Sequence, residues 1–61
     1  MHTGKIRYFN QATGLGSIEP DEEIPDVFFK ESVVVGGVVL VADDRVRYEA
    51  HGNEATRVEK I

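Results

Sequence analysis

The apolar and polar positions of the chain fall into short runs of β-branched and aromatic residues, broken by glycine and proline. The runs are Lys5-Ile6-Arg7-Tyr8-Phe9, Leu15-Gly16-Ser17-Ile18-Glu19, Val27-Phe28-Phe29-Lys30, Arg45-Val46-Arg47-Tyr48-Glu49 and Ala55-Thr56-Arg57-Val58-Glu59. Gly14, Pro20, Pro25, Gly36-Gly37 and Gly52 punctuate them, as expected for successive strands. The fourth run alternates strictly, so Val46 and Tyr48 face one side while Arg45, Arg47 and Glu49 face the other. His51-Gly52-Asn53-Glu54 reads as a tight hairpin in which Gly52 or Asn53 supplies a positive φ. No stretch keeps a helical period over about ten residues. Ala42-Asp43-Asp44 is at most a helical turn or the entry to a strand. Five strands in 61 residues suit one small all-β domain, residues 1–61, closed into a barrel that leaves no sheet edge.

One segment does not fit the alternating pattern. In Val33-Val34-Val35-Gly36-Gly37-Val38-Val39-Leu40-Val41, seven of nine residues are apolar and none is charged. The pattern allows Gly36-Gly37 to close a hairpin between two halves. The plainer expectation is that the segment packs over one end of the barrel and thickens its core. The sharper one is a homodimer formed through Val33–Val41, since an exposed uncharged β-favouring run recruits another strand.

The order and spacing of two motifs add a family. The chain reads Gly4-Lys5-Ile6-Arg7-Tyr8-Phe9-Asn10, then Thr13-Gly14-Leu15-Gly16-Ser17-Ile18, then Pro20-Asp21. Asp26-Val27-Phe28-Phe29-Lys30-Glu31-Ser32 follows. This resembles the cold-shock domain family, whose patterns are Gly-x-Val-Lys-Trp-Phe-Asn, Lys-Gly-Phe-Gly-Phe-Ile, Pro-Asp and Asp-Val-Phe-Val-His-Phe-Ser. The resemblance runs from Gly4 to about Val34 and resumes weakly from Asp44 to Val58. It implies a five-stranded antiparallel OB-fold barrel. The implied activity is binding of single-stranded RNA or DNA, of the RNA-chaperone or gene-expression regulator type, without enzymatic chemistry or cofactor.

The departures fall on the face that the family uses for bases. Tyr8, Phe9 and Phe28 keep aromatic character, whereas Leu15, Ser17, Lys30 and Glu31 replace two Phe, a His and a Phe, and Thr13 replaces a Lys. Base–aromatic stacking contributes roughly 1–3 kcal/mol per base, so three lost platforms remove about 3–9 kcal/mol before non-additivity. The expected ligand interaction is therefore weak. The candidate binding residues are Lys5, Arg7, Tyr8, Phe9, Phe28 and Lys30. Three phosphate contacts would give a salt slope of about −2 on a single strand. Placing Tyr8 on the binding face requires a bulge or strong twist in the first strand, because alternation alone puts it on the side of Ile6. Val27, Phe28 and Phe29 cannot all face one core, which turns Phe28 outward.

Charge and composition narrow the alternatives. The chain carries 7 Lys+Arg against 11 Asp+Glu, a formal charge of −4, which speaks against indiscriminate attraction to duplex DNA. A hydrophobic fraction of 41% is that of a folding chain. Without cysteine there is no disulfide framework and no thiolate metal site. Met1–Lys5 leads into no apolar core and no apolar run approaches membrane-spanning length, so a cytoplasmic protein without a membrane partner is expected. Asp21-Glu22-Glu23 with Asp26 reads as a solvated turn rather than a cation site, and His51 as a hairpin residue. Ser17 and Ser32 lack partners spaced for a triad. Gly14-Leu15-Gly16 lacks the continuation of a phosphate-cradling loop. The competing reading is an interaction module that keeps the fold but has lost its nucleic-acid face, using the valine run for protein contacts.

Overall fold

The strands form where the β-branched and aromatic runs lie. In the computed structural model, which describes residues 1–61, they are β1 (His2–Asn10), β2 (Leu15–Pro20), β3 (Val27–Lys30), β4 (Arg45–His51) and β5 (Glu54–Lys60). They close into a barrel in the order β1-β2-β3-β5-β4. Four of the five junctions are antiparallel. The closing junction, between β3 and β5, runs parallel through Phe28 and Glu54. This is the all-β OB-fold barrel the sequence predicts.

Two bulges reconcile the sequence pattern with the core. In β1 the pairing steps from Ile6↔Ile18 to Tyr8↔Ser17, leaving Arg7 as the extra residue. Alternation would put Ile6 and Tyr8 on one side. The inserted residue reverses the facing, so Ile6 is fully buried and Tyr8 is half exposed. In β5 the register steps from Glu49↔Arg57 to Ala50↔Ala55, leaving Thr56 over. Ala55 and Val58, three positions apart, therefore both point into the core. The predicted alternation of β4 holds, with Val46 and Tyr48 buried between outward Arg45, Arg47 and Glu49. Gly52 supplies the positive φ of the β4–β5 turn, at 66°.

The core joins Ile6, Ile18, Val27, Phe29, Val46, Tyr48, Ala55 and Val58 from the strands with Val34 and Leu40 from the valine-rich segment. That segment is not a hairpin. Glu31–Val33 and Val35–Gly37 are single 3₁₀ turns, and Gly36 and Gly37 have φ of 75° and 61°, which bends the chain back instead of pairing two strands. Val34 makes an isolated parallel bridge to Val58. The run thus closes one end of the barrel, as the plainer expectation has it, through buried Val34 and Leu40 and half-buried Val33. Val35, Val38, Val39 and Val41 remain exposed. Ala42-Asp43 is a turn leading into β4. It is docked on β1 by Asp43 N–H donating to the Ile6 carbonyl at 2.8 Å and Ile6 N–H donating to the Asp44 carbonyl at 2.9 Å.

Candidate nucleic-acid interface

One row of outward positions crosses four strands, from Tyr8 through Ser17 and Phe28 to Glu54. Asn10, Leu15 and Lys30 form the next row. Each side chain projects for a local reason. The bulge at Arg7 turns Tyr8 out, and strict alternation in β3 buries Val27 and Phe29 while presenting Phe28 and Lys30. Tyr8, Leu15 and Phe28 are 48%, 48% and 49% exposed. Exposure of three large apolar side chains side by side on so small a barrel is the surface feature that calls for a ligand. Together with Gly16, Phe29, Lys30 and Glu54 they line a groove of about 210 Å³.

Ser17 lies in the outward row but is only 1% exposed, because a small side chain there is walled in by larger neighbours. Its hydroxyl donates to Asp26 Oδ2 at 3.2 Å. Asp26 also receives Arg7 Nε at 2.5 Å and Arg7 Nη2 at 3.3 Å, and Arg7 Nη2 reaches Glu19 Oε1 at 3.1 Å. The Arg7 hydrogen bond holds the Asp26 carboxyl below the usual carboxylate range, with the Arg7 charge and Ser17 contributing less. Reciprocally, Asp26 and then Glu19 raise the guanidinium pKa.

The six residues the sequence puts forward separate in space. Tyr8, Phe28 and Lys30 come together in the groove. Arg7 is outward, as expected, but is occupied by two carboxylates of its own chain. Lys5 Nζ sits 3.5 Å from Glu19 and 4.0 Å from Asp43. Only Lys30 among the three cations has no carboxylate partner. Phe9 does not join the groove. It is half-buried and stacks on Phe29, with ring centroids 5.8 Å apart and planes 11° from parallel. Its free edge lines a second depression of about 340 Å³ with Gln11, Glu31, Gly37, Val38 and Val39. Glu31, which replaces a family aromatic, therefore faces that second depression. Elsewhere Asp21 is held by Arg45 and Thr3, which makes the acidic turn an ion-paired surface.

Four lining residues were not among the candidates, and two of them, Leu15 and Glu54, bring exposed side chains. Leu15 supplies the third apolar wall. Its place opposite Lys30 follows from the β2–β3 register, and the sequence marks it only as a family position without its aromatic. Glu54 enters because the β4–β5 turn docks on β3, with Phe28 N–H donating to the Asn53 carbonyl at 2.8 Å. No local signal announces that long-range parallel contact.

A closed five-stranded barrel with an aromatic groove on β1, β2 and β3 defines a cold-shock-type OB-fold domain. The chain is 37% identical over 51 residues to cold shock protein CspA of Rhizobium meliloti (strain 1021), a match covering 80% of this chain and 74% of that protein. It belongs to the cold-shock protein family. No protein-family model matches the chain. No helix is long and apolar enough to cross a membrane.

Proposed function

We propose that this protein binds single-stranded RNA or DNA weakly, in the manner of an RNA chaperone or gene-expression regulator, without performing chemistry on it. The observation that carries this reading is the groove itself. Tyr8, Leu15 and Phe28 stand half exposed beside Lys30, the one family-face cation not neutralised by its own chain. Bases stack on the two rings, and Lys30 attracts the phosphate between them. Two platforms supply roughly 2–6 kcal/mol gross, at 1–3 kcal/mol per base, against the about 8 kcal/mol that micromolar affinity needs. Affinity in the high-micromolar range or weaker follows.

The test is fluorescence anisotropy of a labelled heptathymidine and a matching RNA oligomer, at low and at physiological salt, with Phe28→Ala in parallel. Saturable binding that weakens with salt and is lost in the variant supports the reading. No binding even at millimolar protein and low salt would sink it.

A second reading has an observation of its own: Val35, Val38, Val39 and Val41 are exposed on one loop. Such a patch suits self-association. Sedimentation from low to high micromolar distinguishes it, since a strict monomer unchanged by Val39→Lys leaves the valines as a simple cap.

A further inference from the structure

The groove contains an acid as well as a base. Glu54 and Lys30 both line it, yet no cation pairs with Glu54, no carboxylate pairs with Lys30, and the two are not joined to each other. Eight ion pairs engage His2, Lys5, Arg7, Arg45, Arg47 and Lys60 and leave Lys30 and Arg57 without a carboxylate, and what separates Glu54 from the other unpaired carboxylates, Glu23, Glu31 and Glu49, is its place in this groove. Glu54 is also firmly placed. It is the Cα partner of Phe28 across the closing junction, and the preceding residue is tied to Phe28 by the 2.8 Å backbone hydrogen bond. The Glu54 carboxylate thus shares the groove with the Phe28 ring.

On the footing of the single-strand binding argued above, we propose that Glu54 is a specificity-determining residue that favours guanine at the Phe28 position. A carboxylate only accepts hydrogen bonds. The Watson–Crick edge of guanine offers two adjacent donors, N1–H and the 2-amino group, which a carboxylate accepts in a bidentate arrangement. Adenine and cytosine offer one amino donor beside a ring acceptor. Thymine and uracil offer one N–H between two carbonyls, whose oxygens meet the carboxylate unfavourably. Lys30, on the same groove, takes the phosphate. Stacking accepts every base and ranks them only modestly, so the part of the ranking that disappears with the Glu54 carboxylate is the part it supplies.

The experiment is anisotropy at low salt with heptathymidine and with the same strand carrying one central guanine, hypoxanthine, adenine or cytosine. Wild type, Glu54→Gln, Glu54→Ala and Phe28→Ala are compared, with circular dichroism confirming that each is folded. The guanine strand is expected to bind about fivefold or more tightly than heptathymidine, toward the lower end of what a bidentate base contact contributes. Hypoxanthine, which lacks the 2-amino group, is expected to fall between them. Both Glu54 variants should level the ranking among the five strands, whereas Phe28→Ala should weaken every strand. Equal wild-type affinities, or a guanine preference that survives in both Glu54 variants, overturns the role of Glu54 alone. Absence of binding to all five strands overturns single-strand binding itself, and this role with it.

Discussion

Arg7 and Asp26 are joined by two hydrogen bonds, Nε to Oδ2 at 2.5 Å and Nη2 to Oδ1 at 3.3 Å. The bulge that turns Tyr8 toward the groove places Arg7 at the same step of β1, and Asp26 captures it at the entry to β3. A cation that the sequence assigns to phosphate is thereby spent within the fold. With Lys30 as the free cation, the slope of log K against log salt should be about −0.7 on a single strand rather than the about −2 of three contacts.

Releasing Arg7 should therefore change the salt dependence more than deleting it. The double substitution Asp26→Asn with Glu19→Gln frees the guanidinium and should steepen the slope to about −1.4, while Arg7→Ala should leave it unchanged. Anisotropy titrations at several salt concentrations read both. An unaltered slope in the double variant would mean that Arg7 does not reach the strand.

Ser17 sits between Tyr8 and Phe28 across three adjacent strands. Ser17→Phe should bridge the two rings into one platform and tighten short-strand binding about 5- to 100-fold, the equivalent of one stacked base. Glu31→Phe, whose side chain lines the other depression, should change it less. An equal gain from both would contradict the separation of the two depressions.

Gly16 is the Cα partner of both Phe9 and Phe29. A Cβ there would lie 2.4 Å from Phe29 Cζ and 2.9 Å from the Tyr8 carbonyl oxygen. Gly16→Ala should lower stability by about 1–3 kcal/mol through overpacking, seen as a lower urea midpoint with an unchanged m-value. Wild-type stability in this variant would show that the Phe9–Phe29 stack can shift at little cost.

Tyr48 is 1% exposed, and its hydroxyl has no hydrogen-bond partner within the protein. Burial raises its pKa, with Glu22 and Asp21 adding to the effect. Tyr48→Phe keeps the ring and its stacking on His2 while removing an unsatisfied group, and should stabilise by about 1 kcal/mol. Thermal or urea unfolding measures it, and a clear loss of stability would contradict the assignment.

Asp21 should govern part of the acid sensitivity. Its carboxyl accepts two hydrogen bonds from Arg45, at 2.8 and 2.5 Å, and one from Thr3 at 2.6 Å. Arg45 first and Thr3 second hold it far below the usual carboxylate range. A depressed folded-state pKa gives stability that is present above the unfolded value of about 3.9 and declines as pH falls below it. Asp21→Asn should thus lower Tm at neutral pH, with the gap to wild type narrowing below about pH 4. A gap constant with pH would show that the ion pair contributes nothing.

The strands were legible because their signals are local. β-branched and aromatic runs, the glycine and proline breaks and the Gly52 turn fix where β1 to β5 begin and end within a residue or three. The outward facing of Phe28 followed from the impossibility of burying three consecutive residues on one face. The need for a bulge before Tyr8 followed from a conflict between alternation and the family motif. Phe9 lies outside the groove because that bulge also returns the next residue inward, onto Phe29.

Residue type and spacing alone specify the set of strands, the barrel they close into, and the chemistry of the side chains on β1 and β3. Which charges are paired and which residues share the groove depends on contacts distant in sequence. Arg7 meets Asp26 across 19 positions of sequence, and Glu54 reaches Phe28 only through the parallel junction that closes the barrel. The valine-rich segment was decided the same way. Its composition favours strands, but burial of Val34 and Leu40 beneath a turn outweighs that propensity, because closing the end of a small core removes more apolar surface from water than an unpaired hairpin would.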